Sequence, residues 1–488
     1  MSVVIVLDCG ATNLRAIAID SQGKIVASYF VKNETKQDIN NPDYHIWDFE
    51  QIWTKLVECG QKVIAEVGAK NVLALTVTTF GVDGAPFDNQ GNQLYPIISW
   101  KCPRTVPVMK QVEQELDRLQ LYRDNGIGDY SFNTLYKLRW FQQHQPQLFE
   151  QMDKFVFISS MITHQLTGVW STDYTMAGTS MMTDLTLCNW NPAVLEYLGL
   201  SEEQFPPLVM AGDVIGSVTS DIAKLLGLGA DVPVISAGHD TQFALVGSGA
   251  AENQAFLSSG TWEILMARSQ RPQLDVHALQ HGVTVELDSV KGFYNPAIQW
   301  LSSAVVEWVA NQFFTAEQAS GELYKVMIEE AREVGNGASG VVFKPNFTTN
   351  ADGIGQGAIE GLGLHTNRGQ IARAVFEGLS KQLKQRFDYL SQLCQLSDGP
   401  VVVVGGGTKN DLWNQLRADA LQRPLHIVEQ AEATVIGAAM FAFTGSGFYP
   451  DIDSAQAQMK PSLRVVNPSL LNTPPLESKT VQQESTHA

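Results

Sequence analysis

Two short turns of small residues have the composition of phosphate-binding loops. The first runs from Gly10 to Asn13, directly after an apolar run and Asp8, and the second contains Gly260 and Thr261. Each turn separates two apolar runs, so the sequence predicts a β-hairpin at each position. Such turns expose backbone N–H groups and a hydroxyl, which suit the oxygens of a phosphate. Two of them, far apart in the chain, indicate two related lobes that close on one nucleotide for phosphoryl transfer.

The position of Asp8 indicates a metal site. Asp8 follows five apolar residues, and open α/β sheets bind their ligands at such strand ends. Magnesium favours carboxylates together with phosphate oxygens and water, so we expect Asp8 to hold Mg²⁺ through water. The alternative is that the carboxylate only caps the turn.

A second buried strand leads to Asp240, through the apolar run 232–237 and then Gly238 and His239. The small residues before Asp240 allow a ligand or another backbone to approach closely. We expect Asp240 to accept the proton of a substrate hydroxyl while that oxygen attacks the γ-phosphorus. The alternative, compatible with this role, is that Asp240 caps a helix that starts near Thr241. We expect His239 to contact substrate rather than to act as a base.

A third glycine-rich segment follows the apolar run Val401–Val404. Three consecutive glycines, centred on Gly406, precede Asn410 and an expected helix. Glycines let the backbone lie flat against a planar group or a phosphate, and a tight strand-to-helix turn is the alternative use for them. The chain contains no G-x-x-x-x-G-K-[ST] motif, so a P-loop fold is not predicted.

Three further segments have residue types that bind neutral sugars. Gly81 and Asp83 lie in a glycine-flanked loop after an expected strand, Trp100 follows another apolar run, and Asn295 precedes Trp300. Carboxylates and amides form hydrogen bonds with sugar hydroxyls, and aromatic faces cover sugar C–H surfaces. Core packing is the alternative for each tryptophan.

Strands alternate with helical patterns along the chain, which indicates α/β architecture. One series comprises a hairpin over residues 1–20, a helix at Phe49–Val67 and strands at Leu73–Thr79, Phe155–Ile158 and Val232–Ser236. The other comprises a hairpin at 255–267, strands at Val341–Phe343 and Val401–Val404, and helices near 367–394 and 410–421. The sequence therefore predicts domains at 1–240 and 241–450, followed by an extension over 451–488 with a disordered end.

Composition restricts the class of partner. The 488 residues suit two domains, and a net charge of −18, from 33 basic and 51 acidic residues, argues against binding to nucleic acid or an anionic membrane. The five cysteines include no C-x-x-C pair, and His277 and His281 lack an evident third metal ligand. No signal peptide and no apolar run of membrane length is evident. We therefore expect a cytoplasmic protein with free thiols.

These motifs, in this order, resemble those of the FGGY carbohydrate kinases, which share the ATPase fold of actin and the heat-shock chaperones. The resemblance runs from Val3 to about Tyr449. It implies α/β architecture with two actin-like (ribonuclease H-like) ATPase domains and an active site in the cleft between them. It also implies ATP and Mg²⁺ as cofactors and a small-molecule sugar as substrate, and it is compatible with a homodimer.

The resemblance assigns roles to individual residues. Asp240 is the expected catalytic residue, and Asp8 is the expected metal residue. The expected nucleotide contacts are Asp8, Ala11, Thr12, Asn13, Arg15, Gly260, Thr261, Gly406 and Asn410, with Ser303 nearby. The expected substrate contacts are Gly81, Asp83, His239, Asp240 and Asn295.

Within the family, the segments at 78–84, 99–104 and 258–265 most resemble the branch that phosphorylates L-fuculose. Cys102, where many members have aspartate, favours the same branch. The resemblance therefore implies ATP-dependent phosphorylation of a 6-deoxy-ketohexose at O1. A kinase for L-rhamnulose or for another ketose or pentulose is the alternative within the family. An actin- or chaperone-like ATPase module that binds partners is the alternative from another class.

Overall fold

Two mixed β-sheets, one from each half of the chain, form the framework of the molecule. The computed structural model describes residues 2–229, 231–347, 349–350, 353–429 and 432–469. Within these ranges the first sheet has six strands: β1 (Val3–Cys9), β2 (Asn13–Asp20), β3 (Ile25–Lys32), β4 (Val72–Thr79), β5 (Val214–Ser217) and β6 (Pro233–His239). The second has seven: β7 (Phe256–Ser259), β8 (Trp262–Met266), β9 (Val283–Leu287), β10 (Tyr294–Leu301), β11 (Val401–Val404), β12 (Leu425–Val428) and β13 (Leu463–Val466).

The two sheets repeat one pattern of strand order and direction. The first has the order β5-β6-β4-β1-β2-β3, in which the pairs among β6, β4 and β1 are parallel and the others are antiparallel. The second repeats this arrangement as β13-β12-β11-β7-β8-β10, and β9 extends it beyond β10. The two predicted turns therefore belong to a duplication of whole sheets.

Helices connect the strands and cover the sheets. Six of them frame the sheets and their loops: α1 (Phe49–Val67), α2 (Asp240–Gly247), α3 (Ser303–Phe313), α4 (Arg368–Cys394), α5 (Asp411–Leu421) and α6 (Ala433–Gly445). The other described helices are Val106–Glu115, Arg118–Asn125, Thr134–His144, Pro146–Gln151, Ile158–Thr167, Tyr174–Gly178, Pro192–Leu198, Ser220–Leu226, Val276–Gln280, Leu323–Val334 and Ile452–Gln458. Across the described ranges, no helix combines the length and the apolar character needed to cross a membrane.

Short strands outside the two sheets form small separate pairs or triplets. They lie at Lys36–Asp38, Asn41–Trp47, Gly84–Phe87, Ile97–Ile98, Lys154–Phe157, Thr172–Asp173, Thr183–Asp184, Asn189–Trp190, Leu208–Val209, Val342–Lys344, Thr349–Asn350, Gly353–Ile354 and Ala358–Glu360.

Local sequence explains the limits of α1. Asp48 accepts a hydrogen bond from the backbone N–H of Gln51 at the start of the helix, and Gly68, with a φ of 83°, follows its end. The face that contains Ile52 and Leu56 is buried against β2 and β3. The predicted bounds of this helix are confirmed.

The helices α2 and α6 cross between the two sheets at a pair of glycines. A Cβ atom on Gly437 would lie 2.0 Å from the carbonyl oxygen of Phe243, and one on Gly247 would lie 1.9 Å from the carbonyl oxygen of Ala433. On α2, Phe243 belongs to the core under the first sheet and Leu245 to the core under the second. Because only glycine permits backbones this close, the crossing sets the separation of the two sheets.

The other predicted elements agree with the structure in part. Both hairpins, the strand at Val401–Val404 and the helices near 367–394 and 410–421 are confirmed within a few residues. The strands predicted at Phe155–Ile158 and Val341–Phe343 occur at Lys154–Phe157 and Val342–Lys344, but each pairs in a small sheet of its own. Apolar runs of this length do not identify the sheet to which a strand belongs.

Beyond residue 450 the chain continues in regular structure. Residues Ile452–Gln458 are helical, and Leu463–Val466 form the edge strand β13, so part of the predicted extension completes the second sheet. The predicted disordered end, about the last dozen residues, lies outside the described residues. The domain boundaries stay a prediction.

We expect Gly437→Ala to destabilise the protein, although alanine favours a helix interior over glycine by about 1 kcal/mol. The added methyl group overlaps the Phe243 carbonyl, and overpacking of this kind costs about 1–3 kcal/mol. Urea unfolding should therefore give a lower free energy of unfolding for the variant. Gly363→Ala is the matched control, because a Cβ atom there meets no atom within 4 Å. A Gly437→Ala variant as stable as the wild type would contradict the tight crossing.

Candidate active site

Asp8 and the segment that leads to Asp240 meet at the carboxyl edge of the first sheet. In the pairing of β1 with β4, Asp8 lies opposite Thr78, and in the pairing of β6 with β4, Gly238 lies opposite the same residue. The hydroxyl of Thr78 donates to the Gly238 carbonyl over 3.0 Å. The register therefore places both predicted carboxylates at one edge, on either side of β4.

Hydrogen bonds to Asn13 and Asn33 hold the first turn in shape. The N–H of Gly10 donates to the Asn13 carbonyl over 3.0 Å, and a Cβ atom on Gly10 would lie 2.9 Å from that oxygen. Asn33 donates from its backbone to the Thr12 carbonyl and from its side chain to the Gly10 carbonyl, each over 2.8 Å. Ala11 and Thr12 form the tip, where Thr12 is exposed. The tip is therefore a preformed surface that suits an anion.

Asp8 is paired with an arginine rather than with the turn. Arg15 donates from Nε to Asp8 Oδ2 over 2.7 Å, and from Nη1 to Glu432 Oε2 over 2.7 Å. Burial, with smaller contributions from the nearby Asp240 and Glu432, raises the pKa of Asp8 to about 6, against the opposing effect of Arg15. The hydrogen bonds of Asp8 go to a guanidinium, so the structure gives no support to a role as a turn cap.

The surroundings of Asp8 fit a hydrated cation. Its carboxylate lies beside the first turn, and Asp240 and Glu432 are near enough to affect its pKa. A divalent cation here would favour the ionised carboxylates, and phosphate oxygens and water would complete its octahedral coordination. In the described part of the chain, no cluster of three or more His, Cys, Asp or Glu side chains is arranged to hold a metal alone. Sequence reasoning missed Glu432, because it belongs to no recognisable motif and lies far from Asp8 in the chain.

The second turn is supported by the start of α3. The N–H of Gly260 donates to the Trp262 carbonyl over 3.0 Å. The backbone N–H groups of Ser303 and Ala304 donate to the carbonyls of Gly260 and Thr261, each over 3.3 Å. Ser303, predicted to lie near ATP, therefore contacts the turn itself. Both turns have their carbonyl groups bonded to the protein.

The third glycine segment lies directly beside the second turn. In the parallel pairing of β7 with β11, Ser258 lies opposite Val404. Gly405 has a φ of 98°, and a Cβ atom there would lie 2.5 Å from the carbonyl oxygen of Ser259. At Gly406 a Cβ atom would meet nothing within 4 Å, so its Cα faces open space. Asn410 caps α5, where its Oδ1 accepts from a backbone N–H over 3.0 Å.

A buried ion pair anchors the second turn. Arg417 donates to Ser259 Oγ over 2.8 Å and pairs with Glu263, and the Ser259 hydroxyl donates to Glu263 over 3.0 Å. The side chains of Arg417 and Glu263 are fully buried. Removing one partner of such a pair leaves an uncompensated buried charge, so the pair holds the turn in one position. In the sequence, the only indication of this ion pair is Glu263, a glutamate within an otherwise apolar strand.

A cavity of about 320 Å³ lies between residues of the two halves, within the usual range of about 300–1,000 Å³ for small-molecule sites. Its lining combines apolar and aromatic side chains with a few polar groups, as expected for a binding site. The first half contributes Gly81, Trp100, Tyr130, Phe132, Thr179 and His239 among others, and the second half contributes Ile264, Met266, Thr284, Glu286 and Gln299 among others.

The predicted contacts Gly81 and His239 meet on the wall of this cavity. A Cβ atom on Gly81 would lie 3.1 Å from the imidazole ring of His239, so glycine permits the close approach. The ring has Asp240 Oδ1 3.4 Å from Nε2 and Glu286 Oε2 3.4 Å from Nδ1. Burial lowers the pKa of His239, but Glu286 and Asp240 outweigh this effect and raise it to about 9. His239 is therefore a cation at neutral pH.

Asp240 is the first residue of α2, and its side chain is 36% exposed. The residue that precedes the helix is His239, whose side chain makes no capping hydrogen bond. The Oδ1 atom of Asp240 accepts from the Thr241 hydroxyl over 3.1 Å. Asp240 is therefore not the helix cap, and its accessible carboxylate stands next to two cavity-lining residues, His239 and Thr241.

The structure places Asp83, predicted to contact substrate, inside the protein, and its contact with a sugar stays a prediction. Asp83 is fully buried and pairs with Lys137. It also accepts from Trp47 Nε1 over 2.7 Å and from the backbone N–H of Trp100 over 3.0 Å. Its carboxylate is thus occupied within the protein, and it positions Trp100, which lines the cavity. The hydrogen-bond partners of Asp83 come from distant segments, which the local pattern did not reveal.

The substrate contact predicted for Asn295 stays a prediction, since its Oδ1 atom has no hydrogen-bond partner among the described residues. Asn295 is 1% exposed, and its amide donates to Asp288 Oδ2 over 2.6 Å. Asp288 is in turn paired with Arg268 over 3.0 Å, so Asn295 belongs to a buried polar cluster. Residues two and four positions further along β10, Ala297 and Gln299, line the cavity. Side chains with this spacing share one face of a strand.

Aromatic residues that sequence reasoning missed form one side of the cavity. Tyr130 and Phe132 are stacked with ring centroids 5.2 Å apart, and Phe132 meets Trp100 edge-on at 6.4 Å. The segment that carries them contacts the second sheet, since the N–H of Val285 donates to the Gly126 carbonyl over 2.7 Å. Trp100 thus faces the cavity, whereas Trp300, at 1% exposure, is a core residue.

Known proteins share both the sequence pattern and the fold. The N-terminal domain of the FGGY family of carbohydrate kinases matches residues 3–247, and the C-terminal domain of that family matches residues 255–446. L-fuculokinase of Haemophilus influenzae is 48% identical over 96% of this chain and 100% of its own length. L-fuculokinase of Escherichia coli is 44% identical over 96% of this chain and 97% of its own length.

Solved structures of distant relatives confirm the predicted fold class. Xylulose kinase from Rhodospirillum rubrum has a TM-score of 0.86 at 23% identity, covering 96% of this chain and 94% of that chain. Plasmodium falciparum glycerol kinase with ADP has a TM-score of 0.82 at 19% identity, with the same shares covered. The molecule therefore has the two-domain α/β fold of the actin-like ATPases. The two domain matches together cover most of the chain, and the structure repeats the glycine turn in both halves. The chain therefore belongs to the FGGY family of carbohydrate kinases.

Proposed function

We propose that this carbohydrate kinase transfers the γ-phosphoryl group of ATP to O1 of L-fuculose, giving L-fuculose 1-phosphate and ADP. One observation carries the proposal: the accessible carboxylate of Asp240 lies close to Asp8, beside the first turn, and next to the lining of the cavity of about 320 Å³. The choice of sugar is supported by relatives named L-fuculokinase that are 44–48% identical over nearly the whole chain.

The reaction has two parts, an exchange of bonds at the γ-phosphorus and the transfer of a proton from O1. The O1 oxygen of the sugar forms a bond to the γ-phosphorus while the bond from that phosphorus to the β–γ bridging oxygen breaks, and ADP leaves with that oxygen. The O1 proton passes to a carboxylate oxygen of Asp240. Because phosphoryl transfer depends mainly on positioning and electrostatics, the chief task of Asp240 is to orient the attacking hydroxyl.

ATP would lie along the three loops. In this proposal the first turn (Ala11, Thr12 and Asn13) and the second turn (Gly260 and Thr261) hold the phosphates from opposite sides. Gly406, whose Cα faces open space, and Asn410 border the adenosine. Arg15 supplies positive charge beside Asp8. When bound, Mg²⁺ neutralises phosphate charge, and Asp8 would hold it through water.

The cavity suits a 6-deoxy sugar, because its lining offers both apolar and polar groups. Val82, Ile264 and Met266 offer an apolar surface for a methyl group, while His239 and Gln299 offer hydrogen-bond partners for hydroxyls. Closure of the two lobes on the substrates would exclude water, which limits hydrolysis of ATP. A homodimer stays a prediction from the sequence.

Asp240→Asn should lower kcat for sugar-dependent ADP release by about 10²–10⁴-fold, because loss of a general base has this effect. Asp43→Asn is the control, since Asp43 is exposed and the substitution removes the same charge. Circular dichroism establishes that both variants are folded. More than a tenth of wild-type kcat in folded Asp240→Asn would contradict the assignment.

Gly406→Ala should raise the KM for ATP by about tenfold, because a methyl group there costs binding energy only if the nucleotide lies against it. The protein itself leaves room for the methyl group, so stability should not change. Gly363→Ala, whose Cβ atom also meets nothing within 4 Å, is the matched control. An unchanged KM for ATP in Gly406→Ala would place the nucleotide elsewhere.

A panel of ketoses under saturating ATP tests the substrate. We expect kcat/KM for L-fuculose to exceed that for L-rhamnulose, D-ribulose and D-xylulose by at least about tenfold, the usual effect of one mismatched group in a pocket. A higher value for another ketose would replace L-fuculose as the substrate. If no ketose raises ADP production above that of ATP alone, the ATPase-module alternative is favoured.

A further inference from the structure

The imidazole ring of His239 lies between two carboxylates. Asp240, at the start of α2, has Oδ1 3.4 Å from Nε2 of the ring, and Glu286, on β9, has Oε2 3.4 Å from Nδ1. The side chain of His239 is 15% exposed and that of Glu286 is 19% exposed. Each nitrogen of the ring therefore faces one acid, and one of the two acids is the proposed base.

Glu286 is held in place by contacts across the two halves of the chain. Gln242, on α2, donates from its side-chain amide to the same Oε2 atom that faces His239. The strand β9 is itself attached to the first half, since Val285 N–H donates to the Gly126 carbonyl over 2.7 Å and Tyr122 Oη donates to the Val283 carbonyl over 2.9 Å. The position of the Glu286 carboxylate is thus determined by both halves.

We propose that Glu286 is a positioning residue for phosphoryl transfer, which acts by holding the His239 ring with Nε2–H directed at Asp240 and the reacting hydroxyl. The proposal rests on the proposed function, and it adds a residue that sequence reasoning did not identify. Glu286 Oε2 lies at ion-pair distance from Nδ1, so the other nitrogen, Nε2, faces Asp240 and the side of the reaction.

The positive charge of His239 is the property through which the ring assists phosphoryl transfer. Its pKa is raised to about 9, since Glu286 and Asp240 outweigh the effect of burial, so the ring is cationic at neutral pH. The charged groups that face it are Glu286 from β9 and Asp240 from α2, while Gly81 and Thr179, which line the same part of the cavity, are uncharged. A fixed cation here stabilises the ionised base and the negative charge that develops on the attacking oxygen.

Glu286→Gln separates this role from a purely structural one, because it removes the charge while keeping the size. The pKa of His239 should fall by at least about one unit toward its ordinary value, since the largest favourable interaction of the cation is lost. In the wild type, activity should decline as pH rises through about 9, where His239 loses its proton. In the variant this decline should begin at a correspondingly lower pH.

The direct test is an NMR titration of the His239 Cε1–H signal in the full-length protein labelled at histidine. The chain has nine histidines, and the signal missing from His239→Gln gives the assignment. Glu286→Gln is compared with the wild type and with Glu333→Gln, which removes the same charge at an exposed position. A pKa that falls in Glu286→Gln alone is the expected result, and an unchanged pKa would overturn the proposal.

The kinetic test follows kcat and KM for L-fuculose against pH in the same three proteins. We expect Glu286→Gln to lower kcat at pH 8 by about tenfold or more and to shift the alkaline decline, with a smaller effect on KM. A rise in KM alone, with an unchanged pH profile, would overturn the proposal and make Glu286 a simple sugar contact. If the wild type phosphorylates no ketose, the proposed function fails, whereas the titration still decides whether Glu286 controls His239.

Discussion

The crossing of α2 and α6 is the constraint on which the rest of the structure depends. Because glycines at 247 and 437 let the two backbones touch, the sheets stand at one separation. Asp240 begins α2, so the helix that fixes this separation also carries the proposed base. Duplication of one sheet topology then places a phosphate turn on each half. Conversely, a change in the separation of the sheets would alter the distance between the turns and the acceptor.

Two cationic side chains at the site are each placed between two carboxylates. Arg15 lies between Asp8 and Glu432, and His239 lies between Asp240 and Glu286. In both cases one acid comes from the first half of the chain and the other from the second half. Each cation therefore joins the two halves electrostatically.

Contiguous motifs could be predicted from the sequence, whereas contacts between distant segments could not. The turns at 10–13 and 260–261 were identified because small residues between apolar runs define a hairpin locally. Asp83 and Asn295 were predicted to contact substrate, but their hydrogen bonds to Lys137, Trp47 and Asp288 could not be predicted, because these partners carry no local signal. Glu286, Glu432 and Arg417 were missed for the same reason. Their roles depend on strand register and on packing between the halves.

The most direct test of the account is a crystal structure of the protein with L-fuculose and a non-hydrolysable ATP analogue. The account predicts the sugar in the cavity between the halves, with O1 about 2.6–3.2 Å from a carboxylate oxygen of Asp240. It also predicts O1 in line with the γ-phosphorus, which would lie between the first and second turns. A sugar bound with O1 directed away from Asp240, or a γ-phosphate outside the two turns, would contradict it.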